Sequence, residues 1–582
     1  MTDKSDIPDP GKIEKEIGEF LNKKFGGRVQ LIPQYGDPEA VIRGKKEGMD
    51  AKKSGKIPDF NLLPKEMTDY LDQFIIKQDN AKAVLATKIC THFNRLAKLR
   101  QNPQSSEASL GRIKNNILLI GPTGVGKTYL IKLIANKIGV PFVKGDATKF
   151  SETGYVGGDV EDLVRDLARE ADNDISLAEY GIIYIDEIDK IASSKNFSGA
   201  DISRTGVQRA LLKPMEETDV ELQPPHDPVS MMEALAEFQK TGTREKKLIN
   251  TKNILFIVSG AFSQMEEIIS KRLKKDVIGF NANPEIKKSD NYLMHKIMSE
   301  DLIKYGFESE FVGRLPVRAV LDPLNENDLY EILKNPNNPV ILGKKSDFLA
   351  YGIRICFTDD ALKLIAKNAS KEQTGARGLV NSIENALMKF ETNLPSSAVK
   401  KFAFTSEIIE NPEKTLFNLD KSDSIANFYK LFNEASLKEE EKITEYITKN
   451  RENLEASIGF MLSDYMIKTS AKHYLMNIET IKDALLSIKE AFYEVKSIED
   501  ETFTDKNLYV ELSEEAADFL VNEYIFNHHN YLDIKKSFLE NFSLGLMLAS
   551  EKTNKKRFVV TKEGLTDPEG YISQILKIDN HN

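Results

Sequence analysis

The octapeptide Gly121-Pro122-Thr123-Gly124-Val125-Gly126-Lys127-Thr128 follows directly on a four-residue apolar run, Ile117 to Ile120. Its three glycines let the backbone curl until its N–H groups point at one spot, while the Lys127 ammonium adds positive charge and the Thr128 hydroxyl can hold Mg²⁺. Apolar residues then recur at helical spacing, at Tyr129, Leu130, Leu133 and Ile134. A strand, a glycine-rich loop and a helix in this order predict a phosphate-binding loop, and hence a site for ATP and Mg²⁺.

A second nucleotide signal lies some 60 residues further along the chain. The apolar run 182–185 ends in Asp186 and Glu187, so a strand delivers two adjacent carboxylates to the edge of a sheet where doubly wound folds bind their ligands. We expect Asp186 to bind Mg²⁺ and Glu187 to orient and activate the attacking water. Ser259, directly after the apolar run 254–258, is expected to touch the γ-phosphate or that water.

The order of these segments predicts the fold class. Apolar strand-like runs at 117–120, 140–143, 182–185 and 254–258 alternate with helical patterns. Such alternation is typical of an α/β fold with a parallel sheet and helices on both faces. Ahead of the loop, the apolar residues around Ile76 fit an adenine pocket, and a helix that packs on the sheet explains them equally well.

Composition argues against several classes of protein. Of 582 residues, 29% are charged and 41% hydrophobic, which indicates a globular chain of about three or four domains. The net charge of -10 argues against a general nucleic-acid binder, because phosphate neutralisation needs a basic face. Only Cys90 and Cys356 occur, so neither a disulfide framework nor a cysteine-rich zinc site is expected. Since no apolar run approaches the ~18 residues of a membrane span and no signal sequence is apparent, we expect a cytoplasmic protein with no membrane partner.

Taken together, residues 63–416 resemble the AAA+ protein-unfolding ATPases of the ClpX family. The stretch GPTGVGKTYL, the run GIIYIDEIDKI and the segment TKNILFIVSGAF all have the form found in that family. The related HslU family shares the fold, but it usually has GKTE where this chain has GKTY. The resemblance implies a homo-hexameric ATPase that threads unfolded or tagged proteins through a central pore.

The resemblance also assigns two segments that the residues alone leave open. Tyr155 and Val156 match the first pore loop, in which an aromatic and an aliphatic side chain grip the translocating polypeptide. Ile278-Gly279-Phe280 stands where the family carries its peptidase-docking tripeptide, which implies a ClpP-like partner. Without the family, a tyrosine tucked into a turn and a loop anchored on its own domain would explain the same residues.

Two arginines match residues through which the family contacts the nucleotide. Arg314, at the end of the segment 310–314, resembles the finger that is supplied to the neighbouring subunit, where a guanidinium can be worth ~10³ to 10⁵ in rate. A finger supplied in trans requires a ring of subunits. Arg377, within the turn 374–379, resembles the sensor-two arginine, so the nucleotide site would comprise Ile76, residues 121–129 and Arg377.

The chain departs from the family in several places. No cysteine precedes Cys90, so the four-cysteine zinc domain with which the family usually begins has no counterpart, and Lys77 replaces a glycine. The segment 221–247 is longer than the family's substrate-gripping loop. We therefore expect four regions, namely a leader and linker at 1–60, a large ATPase domain at 61–320, a small mainly α-helical domain at 321–418 and a helical C-terminal extension at 419–582.

The extension repeats short patterns of the small domain. The segment 357–361 opens a helix in the small domain, and 512–516 does the same in the extension. Further on, Thr405, Glu407, Pro412 and Glu413 recur at a constant offset as Thr561, Glu563, Pro568 and Glu569. We interpret residues from about 500 to 582 as a degenerate second small domain that lacks the sensing arginine and recruits substrates or an adaptor. Truncation after Leu416 is then expected to spare ATPase activity and ring formation.

Two functions remain open on the sequence alone. The first is a hexameric ATP-driven unfoldase that serves as the regulatory ATPase of a ClpP-like protease, since the chain carries no protease signature of its own. The second is a peptidase-independent remodelling chaperone, or a scaffold that binds ATP to hold an assembly together. The presence of Glu187 and Arg314 favours turnover over mere binding.

Overall fold

The computed structural model describes residues 60–101, 114–151, 158–192, 202–222, 247–276, 291–419, 421–502, 508–526 and 531–578. The predicted leader, the pore residues Tyr155 and Val156, and the docking tripeptide Ile278, Gly279 and Phe280 lie outside these ranges. Most of the segment 221–247 does so as well.

The large domain is built on a five-stranded parallel sheet in the order β2-β3-β6-β1-β7. The strands in chain order are β1 (Ile117–Ile120), β2 (Phe142–Asp146), β3 (Ile182–Asp186), β4 (Asp219–Glu221), β5 (Leu248–Asn250), β6 (Leu255–Gly260) and β7 (Val317–Val320). All four residues of β1 are buried, with Leu118 opposite Val258 of β6 on one side and Arg318 of β7 on the other. A continuous apolar run suits this central strand because helices cover both faces of the sheet. Strands β4 and β5 form a separate antiparallel pair.

Helices cover both faces of the sheet. They are α1 (Pro64–Asp72), α2 (Asp79–Gln101), α3 (Lys127–Ile138), α4 (Asp162–Glu170), α5 (Ile175–Ala178), α6 (Ile202–Glu216), α7 (Met265–Asp276), α8 (Asn291–Met294), α9 (Ser299–Tyr305) and α10 (Ser309–Gly313). Because side chains alternate along a strand, Ile117 and Leu119 pack with α1 to α3, while Leu118 and Ile120 pack with α4, α6 and α7. The predicted α/β fold class is confirmed.

The small domain follows as a largely helical unit with one pair of parallel strands. Its elements are α11 (Glu326–Lys334), α12 (Pro339–Leu349), β8 (Arg354–Phe357), α13 (Asp359–Lys371), α14 (Arg377–Asn393), β9 (Lys401–Phe404), α15 (Ser406–Glu410), α16 (Pro412–Leu416) and the long helix α17 (Ser422–Lys449). Leu419 and Phe428 belong to the core of this domain, and Phe432 of α17 packs on its strand pair. A cut after Leu416 would remove part of that core, so we revise the expectation that such a truncation spares the ATPase.

The rest of the extension has a hydrophobic core of its own. Its elements are α18 (Arg451–Ile458), α19 (Asp464–Asn477), α20 (Ile481–Thr502), β10 (Tyr509–Leu512), α21 (Glu514–Phe526), α22 (Tyr531–Thr553), β11 (Arg557–Val560), α23 (Lys562–Thr566) and α24 (Pro568–Ile578). Strands β10 and β11 pair in parallel, as β8 and β9 do. None of the helices in the described ranges is both long enough and apolar enough to span a bilayer.

One buried histidine makes the stability of the large domain depend on pH. His92 in α2 is buried, its Nε2 hydrogen bonds the Asn253 carbonyl oxygen at 3.0 Å, and burial lowers its pKa from 6.5 to about 4. Between these values the unfolded chain binds a proton that the folded protein does not, so the free energy of unfolding falls as the pH drops through this window. We expect His92→Gln, which keeps an N–H donor but does not titrate, to reduce that loss. Urea unfolding at pH 7 and pH 5 tests this, and an unchanged pH dependence in the variant would contradict it.

Candidate functional site

The phosphate loop connects β1 to α3 and uses glycine where the backbone demands it. Gly124 and Gly126 have φ values of 75° and 93°, in the left-handed region. A Cβ on Gly124 would lie 2.0 Å from the Thr374 carbonyl oxygen, so only glycine fits this approach. The Ala376 N–H donates to the Gly124 carbonyl at 2.8 Å, and the loop therefore touches the turn that the sequence predicted to be sensor two.

Lys127 is folded back onto the loop that precedes it. Its Nζ donates to the carbonyl oxygens of Gly121 at 2.6 Å and Pro122 at 2.9 Å. Burial lowers the pKa of Lys127, an effect that the nearby carboxylate of Asp186 opposes. The ammonium is thus held at the mouth of the loop, where it can bind an anion without first being extracted from solvent.

The two predicted Mg²⁺ ligands lie next to each other. The Thr128 hydroxyl is 3.3 Å from Oδ2 of Asp186, whose Oδ1 accepts a 2.6 Å hydrogen bond from Ser259. Lys144 forms an ion pair with the same carboxylate at 3.1 Å. Although partial burial alone would raise it, the pKa of Asp186 is lowered by these hydrogen bonds from Ser259 and Lys144. An ionised carboxylate beside a hydroxyl is a donor set that suits Mg²⁺.

Tyr184 completes this cluster and was missed by the sequence analysis. Its hydroxyl lies 2.6 Å from Ser259 Oγ and 3.2 Å from Thr128 Oγ1, and burial raises its pKa to about 12. Tyr184 could have been identified from the alternation of side chains along β3, because residues 184 and 186 lie on the same face of the strand. Ser259 is fully buried and contacts Asp186 and Tyr184, so in this structure it orients the carboxylate.

A cavity of about 480 Å³ opens beside this cluster, between the large and small domains. The predicted nucleotide residues that line it are Ile76, Thr123, Gly124, Val125, Gly126, Lys127, Thr128, Tyr129, Asp186, Glu187 and Arg377. Ile75 and Ile76 both line the cavity, and Ile75 also belongs to the core on that face of the sheet, so the two interpretations of this segment are compatible.

Glu187 lies at the edge of the cavity in an unusual backbone conformation. Its φ is 58°, in the left-handed region that non-glycine residues rarely adopt, and its N–H donates to Asp186 Oδ1 at 3.1 Å. The residue is exposed, and strain of this kind concentrates at functional positions. The backbone turn thus separates two adjacent carboxylates, one held in the hydrogen-bonded cluster and one free to reach a water.

The two predicted arginines lie in different places. Arg377 is the first residue of α14 and lines the cavity. Arg314 is not among the residues that line it. Its side chain is 49% exposed and forms an ion pair with Glu216 at the end of α6. One chain therefore brings Arg377, but not Arg314, to this cavity.

The lysine that replaces the family's glycine has a structural role. Lys77 has a φ of 62°, which glycine adopts without strain. Its ammonium donates to the Pro323 carbonyl at 2.9 Å and pairs with Asp328 at 2.8 Å, while Gln78 makes two 2.7 Å hydrogen bonds with the backbone of Asp322. These contacts tie the segment before Asp79 to the entrance of the small domain and offset the backbone strain.

The wall of the cavity at residues 335–340 is held from behind by the C-terminal extension. Asn337 donates to the Tyr446 hydroxyl of α17 at 3.2 Å and accepts from the backbone N–H of Ile481 at the start of α20 at 3.3 Å. Tyr474 of α19, which is buried, donates to the Pro336 carbonyl at 2.7 Å. Helix α18 also contacts α1 of the large domain. No local pattern in the sequence predicts that residues so far apart would meet.

These contacts predict that the extension affects nucleotide affinity. Tyr474→Phe leaves the half-buried Pro336 carbonyl without this donor, and at about 1 kcal/mol for such a hydrogen bond we expect ATP to bind roughly fivefold more weakly. Titration with a fluorescent ATP analogue measures the dissociation constant, and Tyr493→Phe, at an exposed position of α20, is the matched control. A lower melting temperature with unchanged affinity would show that the hydroxyl serves stability alone.

Comparisons with known proteins agree with this geometry. A family model described as an AAA domain (Cdc48 subfamily) matches residues 112–318, and one for the C-terminal, D2-small domain of ClpB protein matches residues 324–392. Over 370 residues, or 63% of this chain, the sequence is 40% identical to the "ATP-dependent Clp protease ATP-binding subunit ClpX" of Borrelia duttonii (strain Ly). The protein of the same description from Borrelia recurrentis (strain A1) is also 40% identical over 370 residues, and the aligned part covers 82% of each relative. The two family models include all of the residues that line the cavity except Phe74, Ile75 and Ile76.

Proposed function

Because this chain belongs to the ClpX family of AAA+ ATPases, we propose that it is an ATP-dependent protein unfoldase whose ATP site is the cavity between its two ATPase domains. One observation supports this proposal most strongly. Lys127, Thr128, Asp186 and Glu187 line the same cavity, and Arg377 of the small domain lines it as well. These are the groups needed to bind phosphate, to hold a divalent cation and to activate a water.

The side chains divide this work among themselves. Lys127 neutralises the phosphates, and Thr128 and Asp186 would hold Mg²⁺, which when bound neutralises charge that develops on the phosphate oxygens. Ser259 and Lys144 keep Asp186 ionised, and the protonated Tyr184 hydroxyl fixes the position of Ser259. Glu187 would accept a proton from the attacking water, because its carboxylate is exposed at the cavity and makes no ion pair with the lysine that holds Asp186.

The hexameric ring is supported by the position of Arg314. Since this arginine is half exposed and does not line its own chain's cavity, it is available to the nucleotide of a neighbouring subunit. Both related proteins are described as ATP-binding subunits of a Clp protease, and we propose a ClpP-like peptidase as the partner.

The two cysteines are buried and unpaired, which suits the reducing cytoplasm.

The test of this function is ATPase activity with and without an unfolded protein and a ClpP-like peptidase. We expect the unfolded protein to stimulate turnover, and the peptidase to degrade the substrate only when ATP is present. Deletion of Ile278 to Phe280 should abolish degradation but leave the ATPase intact. Stimulation without any degradation would favour the alternative of a peptidase-independent remodelling chaperone, and ATP binding without turnover would favour a scaffold.

The proposed pore loop predicts that substrate unfolding can be impaired without a loss of ATP hydrolysis. Tyr155→Ala is expected to leave basal ATPase activity within about twofold, because the side chain has no role at the phosphates, while unfolding of a stably folded substrate slows at least about tenfold. Loss of fluorescence from a tagged fluorescent protein follows the unfolding step. Tyr351→Ala, at an exposed position of the small domain, is the control, and equal unfolding rates in both variants would contradict the pore-loop assignment.

A further inference from the structure

Two parts of the chain share one arrangement of elements. The unit from β8 to α16 and the unit from β10 to α24 both follow the order strand, two helices, strand, two helices, and in both the strands are parallel. Their backbone hydrogen bonds match as well. The equivalent pairs are Arg354 N–H to Lys400 O at 2.9 Å and Tyr509 N–H to Lys556 O at 2.8 Å, then Thr358 N–H to Phe404 O and Ser513 N–H to Val560 O, both at 3.0 Å.

In the first unit, a helix covers the outer face of the strand pair. Cys356 and Ala403, which are direct partners in the β8–β9 register, are each only 2% exposed. They form a cluster with Phe432 and Ala435 of α17, and Phe428 lies one turn earlier on the same helix. Residues spaced i, i+4 and i+7 form one stripe on a helix. The outer face of this strand pair is therefore completed by an amphipathic helix.

In the second unit, the equivalent face is open. Glu511 and Val559 are direct register partners and take the positions of Cys356 and Ala403. Val559 is 51% exposed and Tyr509 is 61% exposed, and Glu511 and Arg557 are exposed as well. Within the described ranges, no helix covers Glu511 and Val559 as α17 covers Cys356 and Ala403, while Tyr509 and Arg557 extend the exposed face at the positions of the exposed Arg354 and Lys401. We call Tyr509, Glu511, Arg557 and Val559 the open sheet face.

We propose that the open sheet face binds an amphipathic α-helix of a partner protein, in the place that α17 occupies on the first unit. The apolar Tyr509 and Val559 side chains require an apolar stripe on that helix. The charged residues of the face specify the charges that flank this stripe on the partner helix. Glu511 would pair with a basic residue and Arg557 with an acidic one. A second α17 would fit poorly, since Ala435, which belongs to the cluster around Cys356 in the first unit, would bring no charge to Glu511. This proposal does not depend on ATP turnover.

A charge-swap experiment with a peptide tests this surface directly. The probe is a labelled peptide of residues 422–449 in which Ala435 is replaced by Lys or by Glu, and its binding to the full-length protein is followed by fluorescence anisotropy. We expect the A435K peptide to bind about tenfold more tightly than the A435E peptide. In the Glu511→Lys protein that preference should reverse. The absence of saturable binding by either peptide, or a preference that the Glu511→Lys protein keeps, would overturn the proposal.

Variants of the face itself provide a second readout. Val559→Asp and Tyr509→Ala lie on different strands, and each should weaken binding of the A435K peptide by about tenfold or more. Leu544→Asp, at an exposed apolar position of α22, is the matched control and should bind normally. Thermal unfolding of all three variants identifies any that fails to fold. Normal binding by a folded Val559→Asp or Tyr509→Ala protein would overturn the proposal.

The natural occupant can be identified with a photo-crosslinking amino acid at position 559 of the full-length chain in its own cells. We expect an adduct that maps to a helix of another protein with an apolar stripe and a basic residue beside it. An adduct with a second copy of this chain, or with another segment of the same chain, would overturn the assignment to a partner protein. So would a yield no higher than that of the same crosslinker at position 544.

Discussion

Replacement of Glu187 by Gln is expected to lower ATP turnover by at least about 10²-fold, the lower end of the contribution of general base catalysis, while ATP remains bound. The amide keeps the size of the carboxylate but cannot accept the proton of the attacking water. Binding should persist because Lys127 and Asp186, which we propose to bind the phosphates and the cation, are untouched. Ring assembly should persist for the same reason.

The measurement pairs a turnover assay with a binding titration. In Glu187→Gln, phosphate release should fall while a fluorescent ATP analogue binds as tightly as before. Lys127→Ala provides the contrast, because removal of the ammonium should weaken binding itself. Near-normal turnover in Glu187→Gln would show that Glu187 is not the general base. Loss of ATP binding in that variant would show instead that Glu187 is needed for the structure of the ATP site.

Arg314→Ala is expected to lower turnover by ~10³-fold or more, as the loss of an arginine finger does in other nucleotide hydrolases. In a single chain the guanidinium pairs with Glu216 and does not line the cavity, so we expect its effect on hydrolysis to come through another subunit. Glu216→Gln is the informative control. It breaks the same ion pair but keeps the arginine, so it should retain most of the activity.

Mixing of inactive variants tests whether Arg314 acts in trans. Arg314→Ala subunits keep an intact ATP site, and Lys127→Ala subunits keep an intact Arg314. In mixed rings, some sites combine the intact parts of both variants, so activity should return although neither variant is active alone. If the arginine acted within its own chain, mixing would restore nothing. If Glu216→Gln were as inactive as Arg314→Ala, the ion pair rather than the finger would explain the loss.

Local sequence was sufficient to predict that the phosphate-loop residues and the acidic pair meet at one site. Gly124, Lys127 and Thr128 are neighbours in the chain, and the acidic pair at 186 and 187 ends a strand, so the parallel sheet brings both motifs to one edge. The resemblance carried by these motifs placed the chain in its family. Tyr184 was missed because its role depends on which strand neighbours β3, and β6, with Ser259, is distant in the chain.

The sequence by itself determined four strands of the parallel sheet, the phosphate loop, the acidic pair and the local pattern shared by the small domain and the extension, because each depends on residues close together in the chain. Tertiary structure alone decided that α17 completes the small domain and that Asn337 is held by Tyr446 and Ile481. It also decided which strand-pair face is covered and which is open. The physical reason is that burial and hydrogen bonding between distant segments depend on how whole helices pack, and the pattern of a single segment shows that it has an apolar face without showing which surface will cover it.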